Sequence, residues 1–273
     1  MTIETITLPG VNNARDLGCY RAGDRQIKKG VLLRTGELIN ATPEAIDILR
    51  NDYHIQKILD LRDSERIKGF PDPEIEGADN IELRVMEMED FIGMLGDPDI
   101  EEKYKARVYD KETAFEIACE YGLLGPKMYG LFVLGQKGIN AYREFFRILL
   151  EHDPDKGAVL WHCKDGKDRT GVAAALILAA LGADKETIYE DYLYTNINNA
   201  SILEPLKKEY ESRGLPENKL NIMLFASGGV FKEYLDFALD SIEKNYGSII
   251  DYIKTELGFT DSDISLLKEK YTE

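Results

Sequence analysis

Positive charge is in short supply along these 273 residues. Thirty-four Lys and Arg stand against fifty Asp and Glu, a formal net charge of −16, which excludes a protein that grips nucleic acid with a basic face. Cysteine is scarcer still. Cys19, Cys119 and Cys163 cannot all pair and do not form a disulfide framework, so reduced thiols are expected. The three histidines, His54, His152 and His162, lack metal-ligand spacing to one another or to the cysteines, so no metal site is expected; His54 and His152 read as surface residues. Long apolar runs are absent too. The longest, residues 172–181, stops at Gly182 and falls short of the ~18 residues of a membrane span, so no integral membrane association is expected. The opening MTIETITL has neither the basic nor the apolar region of a secretion signal. A cytoplasmic location follows, unless an export signal has been removed.

What is present is an ordinary globular composition, 44% hydrophobic and 31% charged, and a single domain over residues 1–273 is expected. Strand-like and helix-like patterns alternate through the first two thirds. That alternation predicts an α/β fold, a central mostly parallel sheet with helices on both faces. Residues 31–35, 55–61, 81–85 and 157–162 read as strands. Thr42-Pro43-Glu44 opens a helix to about Asn51, and an apolar helix follows Thr170. Residues 86–134 and 196–229 fit the alternation poorly, with scattered Gly and Pro. They are candidates for a lid or binding loops, with plain connecting helices as the alternative. Residues 230–273 read as a closing helical pair, with Gly258 as a stop and a capping box from Thr260 to Asp263.

The stretch from His162 to Gly171, HCKDGKDRTG, joins a strand directly to a helix. Cys163 leaves the strand, Gly166 sits where the backbone must turn tightly, and Arg169 opens the helix. Unpaired amides and the positive helix end favour a phosphate-sized dianion there. Lys164, Asp165, Gly166, Lys167, Asp168 and Arg169 are therefore the candidate phosphate cradle. The same field favours a thiolate over a thiol, which makes Cys163 the candidate nucleophile. Arg169 can hold two phosphoryl oxygens with its planar fork, and Thr170 can give its hydroxyl to the departing sulfur. Asp60 is a second carboxylate of interest, because ligands bind at the C-terminal strand ends of open α/β sheets.

This loop resembles the HCxxGxxRTG signature of the cysteine-dependent tyrosine phosphatases, and more closely the HCxAGKDRTG loop of bacterial atypical tyrosine and lipid phosphatases. The resemblance runs along nearly the whole chain: LPGVNNARDLGCY at 8–20, GVLLRTGEL at 30–38, LDLR at 59–62 and YGSIIDYIKTELGFTDSDISLLK near the C-terminus follow the same family's pattern. Cys19 stands where that pattern has glycine, and Asp165 where it has alanine.

The resemblance implies a tyrosine-phosphatase-like fold and phosphomonoester hydrolysis through a phosphocysteine, with no metal or cofactor. No Trp-Pro-Asp acid loop is present; the one tryptophan, Trp161, lies in a strand. The resemblance assigns the acid to Asp168, with Asp60 as the rival. The implied partners are phosphotyrosine proteins, with phosphoserine and phosphothreonine as extensions, and phosphoinositides as a further one suggested by the Lys164 and Lys167 pair. His162 either orients the thiolate or packs beneath the loop. Arg15, Asp16 and Arg34 are expected to brace the loop rather than react, and Tyr189, Tyr192 and Tyr194 to line the cleft mouth or join the core. The alternative function is a catalytically silent module that binds phosphorylated partners. A sulfur transferase or arsenate reductase is a weaker reading, for want of a matching loop length or an evident resolving cysteine.

Overall fold

The computed structural model describes residues 3–106 and 108–273. Its sheet has the order β1-β2-β5-β8-β6-β7, formed by β1 (Glu4–Thr5), β2 (Arg15–Asp16), β5 (Leu32–Thr35), β6 (Lys57–Asp60), β7 (Asp79–Glu82) and β8 (Val159–His162). The short hairpin β3 (Arg21–Ala22) and β4 (Arg25–Gln26) stands apart. The last four strands of that order run parallel, and the β1–β2 edge is antiparallel. Strand β8 lies at the centre and is buried along its whole length. The expected strands are all present, although β7 begins two residues earlier than the reading 81–85 placed it.

Side chains alternate between two apolar layers, as the period of a strand requires. Leu32, Leu59, Val159 and Trp161 face one core; Leu33, Ile58 and Leu160 face the other. Helix α1 (Pro43–Asp47) covers the second layer through Ala45. Thr42 caps it and Pro43 fills its first turn, as the sequence predicts, and it widens into a π turn over Ile48–Asp52. Helix α2 (Ser64–Gly69) connects β6 to β7.

The chain between β7 and β8 is helical throughout its regular elements: α3 (Met88–Gly93), α4 (Pro98–Lys105), α5 (Lys111–Glu120), α6 (Pro126–Leu134) and α7 (Gln136–Glu151). The Gly and Pro residues that made this stretch look irregular are its punctuation. Pro98 and Pro126 occupy first turns, where a missing N–H costs nothing. After β8 come α8 (Asp168–Leu181) and α9 (Lys185–Asn198), then α10 (Ala200–Ser212) and α11 (Glu217–Ala226) in the second poorly patterned stretch. The C-terminal segment holds three helices rather than two, α12 (Lys232–Tyr246), α13 (Ile249–Thr255) and α14 (Asp261–Tyr271); Gly258 and the Thr260–Asp263 box separate the last pair as expected. Helices α7, α8 and α12 to α14 bury the first face of the sheet around Trp161, whose ring meets Phe145 edge-on at 5.4 Å. Among the described residues no helix is long and apolar enough to cross a membrane.

Candidate active site

Five residues, 163–167, span the gap between β8 and α8, and their carbonyls are held from outside. The Cys163 carbonyl faces His162 Nδ1 at 3.2 Å. Glu37 donates its amide to the Lys164 carbonyl at 3.0 Å, and Asn13 Nδ2 reaches the Asp165 carbonyl at 3.4 Å. The Gly166 carbonyl accepts from Asn13 Nδ2 and Arg34 Nη2, both at 2.8 Å. In a planar trans peptide the C=O and the following N–H point opposite ways, so the amides of residues 164–167 turn inward. Asp168 and Arg169 add the unpaired amides of a helix start. No protein acceptor takes these six amides among the described residues, which makes the loop an anion seat. Gly166 is obligatory: its φ is +64°, and a Cβ there would sit 2.4 Å from the Thr35 carbonyl oxygen.

Cys163 continues the parity of Val159 and Trp161 and is buried toward α8, 1% exposed. The Thr170 hydroxyl is buried without a hydrogen-bond partner, so the expected bond to sulfur is not formed in this state. Arg169 is anchored by one nitrogen only, Nη1 donating to the Leu61 carbonyl at 3.3 Å, with Asp63 at 3.8 Å. Its Nε and Nη2 have no protein acceptor among the described residues, which leaves a two-point fork for an oxyanion.

Asp168 opens α8, its side chain 16% exposed. Its carboxylate accepts the Tyr129 hydroxyl, which also contacts the Tyr192 hydroxyl at 2.7 Å. Burial lifts the Asp168 carboxyl above the ordinary aspartate range, against the opposing influence of Lys167 and the Tyr129 bond. Lys167 departs from expectation. It is 3% exposed, and its ammonium turns away from the cradle to the carbonyls of Phe225 at 2.5 Å and Gly229 at 3.2 Å, over the Phe225 ring. Lys164 and Asp165 stay at the surface, 3.9 Å apart. Both poorly patterned stretches thus reach the loop, one through Tyr129 and the other through Phe225 and Gly229.

Asp60 pairs in register with His162, so both project from the sheet face opposite to Cys163. Its oxygens are engaged by Arg62, through the amide at 3.0 Å, Nε at 2.9 Å and Nη2 at 2.6 Å. Arg62 Nη2 also reaches Asp72 at 2.7 Å, and Asp72 lies 3.0 Å from His162 Nε2. Asp60, Asp72 and His162 offer ligand atoms within 4.8 Å of one another. Arg62 already stands between the two carboxylates as their cation, so the cluster reads as an ion-pair network.

With the site assembled, comparison with known proteins is informative. Residues 6–273 match the tyrosine phosphatase family. The chain belongs to that family. A protein named as a tyrosine-protein phosphatase from Cupriavidus necator is 28% identical over 262 residues, covering 96% of this chain and 86% of that one. The triple specificity protein phosphatase PtpB of Mycobacterium tuberculosis is 33% identical over 117 residues, 40% of this chain and 42% of its own. A tyrosine-protein phosphatase of Nostoc commune is 31% identical over 129 residues, 45% and 41% of the two chains.

Behind the loop of this tyrosine phosphatase family member lies a group that the sequence reveals only in part. Arg34 and Arg15 are fully buried and share Asp191 from α9: Arg15 Nε donates to it at 2.8 Å, Arg34 Nη1 pairs with it, and the Tyr20 hydroxyl donates at 3.1 Å. Arg34 is the more strained of the two cations. Burial and the neighbouring Arg15 lower its pKa to about 10, with Asp191 opposing. Arg15 also donates to Asn13 at 2.7 Å, so both arginines support the Gly166 peptide. Asp16 does not reach the loop; it accepts the amides of Gly18 at 2.8 Å and Gly30 at 2.6 Å. Tyr192 is core, Tyr189 bonds Asp236, and neither lines a mouth at the loop. Tyr194 lies 5.9 Å from Arg15 with its ring beneath the guanidinium. His152 corrects another expectation: it is 8% exposed, its Nε2 against the Gly157 carbonyl at 2.9 Å, whereas His54 is exposed as expected. Asn13, Asp72, Tyr129 and Asp191 were missed, since each lies far along the chain from the loop it serves. Only Asn13, inside the NNARDLG stretch, carried a sequence signal.

Proposed function

We propose that the protein hydrolyses phosphate monoesters, phosphotyrosine foremost, through a phosphocysteine intermediate and without a metal. The observation that carries this reading is a buried cysteine beneath six inward amides, with the Arg169 fork free and a carboxyl of raised pKa at the same helix start. The phosphoryl group sits on the amides of 164–169, its oxygens held by Arg169. Cys163 Sγ attacks phosphorus, the S–P bond forms as the ester P–O bond breaks, and Asp168 gives its proton to the leaving oxygen. Water then attacks the phosphocysteine and loses its proton to Asp168. The S–P bond breaks, releasing inorganic phosphate and restoring thiolate and acid. Asp168 is favoured over Asp60, whose carboxylate serves Arg62 on the other face of the sheet.

Cys163 is 1% exposed, and a phosphate on a long planar arm reaches a buried thiol more readily than one on a short seryl stem. The burial of Lys167 removes one of the two cations that pointed to phosphoinositides, while the triple-specificity name of one relative supports a wider range. The test is release of inorganic phosphate from an aryl phosphate, a phosphotyrosine peptide and several phosphoinositides, with EDTA present throughout. Cys163→Ser should abolish release and keep vanadate binding, because serine is not ionised at neutral pH; turnover within about tenfold of wild type would sink the mechanism.

A further inference from the structure

We infer that Asp72 is a positioning residue for the nucleophile, fixing the two peptide units that follow Cys163 through His162 on one side and the Glu37–Leu38 backbone on the other. The inference rests on reading Cys163 as the nucleophile. Asp72 lies in the stretch between α2 and β7, 5% exposed at its side chain. Its Oδ1 accepts the Leu38 amide at 2.9 Å, and Oδ2 faces Arg62 Nη2 at 2.7 Å and His162 Nε2 at 3.0 Å.

Each contact continues into the loop. From His162 the other ring nitrogen meets the Cys163 carbonyl, which turns the Lys164 amide inward. From Leu38 the chain steps back one residue to Glu37, whose amide holds the Lys164 carbonyl and turns the Asp165 amide inward. Two successive amides of the anion seat therefore trace to one carboxylate outside the loop.

The charge count explains why this residue is an acid. The groups facing His162 are Asp72 at 3.0 Å, Asp60 at 4.0 Å and Arg62, which is itself held by Glu37 at 3.0 Å; Glu37 also binds Arg66. With His162 protonated, three cations meet three anions, whereas a neutral ring leaves a buried negative charge unmatched. Nδ1 meets the Cys163 carbonyl, while Nε2 lies 3.0 Å from the Asp72 carboxylate as a buried charge contact without hydrogen-bond geometry, and an imidazolium suits both neighbours. In keeping with this, burial lowers the His162 pKa but the Asp72 contact and the Asp60 and Asp72 charges outweigh it, so it stands above the ordinary histidine value.

The decisive measurement reads the sulfur itself rather than turnover. Iodoacetate modification of Cys163 is followed by mass spectrometry across the pH range, with and without inorganic phosphate, in wild type, Asp72→Asn and Asp72→Glu. Asp72→Asn is expected to slow alkylation at about pH 6 and weaken phosphate protection, each about tenfold, as the loss of one buried charge contact to His162 gives. Asp72→Glu should restore part of both. An Asp72→Asn protein that alkylates within about twofold of wild type at every pH overturns the inference. Because alkylation is read whether or not substrate turns over, failure of the catalytic reading shows separately, as an inactive wild type whose Cys163 still responds to Asp72. Should Asp72→Asn not fold, imidazole nitrogen NMR of wild type decides: with three histidines the signals are separable, and a neutral His162 at about pH 7 refutes the inference.

Discussion

Replacing Asp168 by asparagine keeps the side chain's size and its place beside Tyr129 while removing the proton that the proposed mechanism gives to the leaving group. Asp168 must be protonated to act, and burial favours that form by raising its pKa. General-acid help is worth ~10² to 10⁴ in rate when the leaving group is poor, as a tyrosine phenol of pKa near ~10 is. An activated aryl ester needs little of it. Asp168→Asn should therefore lower kcat on a phosphotyrosine peptide by ~10² or more and on an activated aryl phosphate by no more than about tenfold, and should flatten the alkaline limb of the pH profile. Asp60→Asn is the control. It strips Arg62 of its closest carboxylate in a buried network, at a cost of ~3 to 5 kcal/mol in stability, and any activity it loses should be the same for both substrates. Steady-state kinetics on the two substrates across pH settle the matter. If leaving-group dependence appears in Asp60→Asn instead, the roles exchange; if it appears in neither variant, the acid lies elsewhere and the assignment is wrong.

Tyr129→Phe removes a donor that favours ionised Asp168, so its alkaline limb should move to higher pH while the chain stays folded; an unmoved limb would show that Tyr129 only packs. Asp191→Asn should cost ~3 to 5 kcal/mol in urea unfolding, since it leaves two buried guanidinium groups without their shared carboxylate. Although burial raises it, Asp191 is held below the ordinary range by Arg15 and Arg34, so its stabilisation is complete above about pH 4 and fades as the pH falls through the lower folded value; the variant should lose that part of the acid dependence, and a loss under about 1 kcal/mol would contradict the bracing role. Cys19→Gly should stabilise the chain by about 0.5 to 1 kcal/mol in the same assay, because Cys19 holds φ at +66°, a left-handed conformation that costs a side chain and suits glycine; a destabilised variant would show that the thiol contributes packing that outweighs the strain.

The sheet and the phosphate loop were legible because both are local patterns. Alternating apolar runs marked the strands, and a cysteine, a mid-loop glycine and an arginine marked the turn into α8. Strand parity is equally legible. Counting from Leu160 puts His162 on one face and Cys163 on the other, and the parallel register of β6 with β8 then sets Asp60 beside His162, away from Cys163. The insertions misled for the opposite reason, since Pro and Gly at helix ends look like loop composition until the caps are placed. The supports of the loop could be read only in part, Arg15, Arg34 and His162 from their motifs but not Glu37, Asp72, Tyr129 or Asp191. The Cys163 carbonyl is met by its own neighbour His162, but the next three are held by groups brought from elsewhere in the chain, Glu37, Asn13 and Arg34, and tertiary placement leaves no spacing to recognise. Lys167 shows the same limit in reverse, a cation that the motif aims at phosphate and the fold spends on the end of α11.

Charge resolves the apparent conflict between a strongly acidic protein and an anionic substrate. The net charge of −16 belongs mostly to the surface, where salt screens it beyond ~10 Å. The seat is governed by groups in contact with it or buried behind it. Arg15 and Arg34 against Asp191 leave one positive charge behind the Gly166 peptide, and the network around Arg62 is neutral when His162 is protonated. In the loop Lys164 and Arg169 carry positive charge against Asp165 and Asp63, the latter 3.8 Å from Arg169, while the Lys167 ammonium is turned to the carbonyls of Phe225 and Gly229. An ionised Asp168 would add a negative charge beside the seat, which a phosphate dianion would meet with repulsion. The same burial that favours the protonated acid therefore also favours the state in which substrate binds, so one carboxyl couples phosphate affinity to readiness for proton transfer.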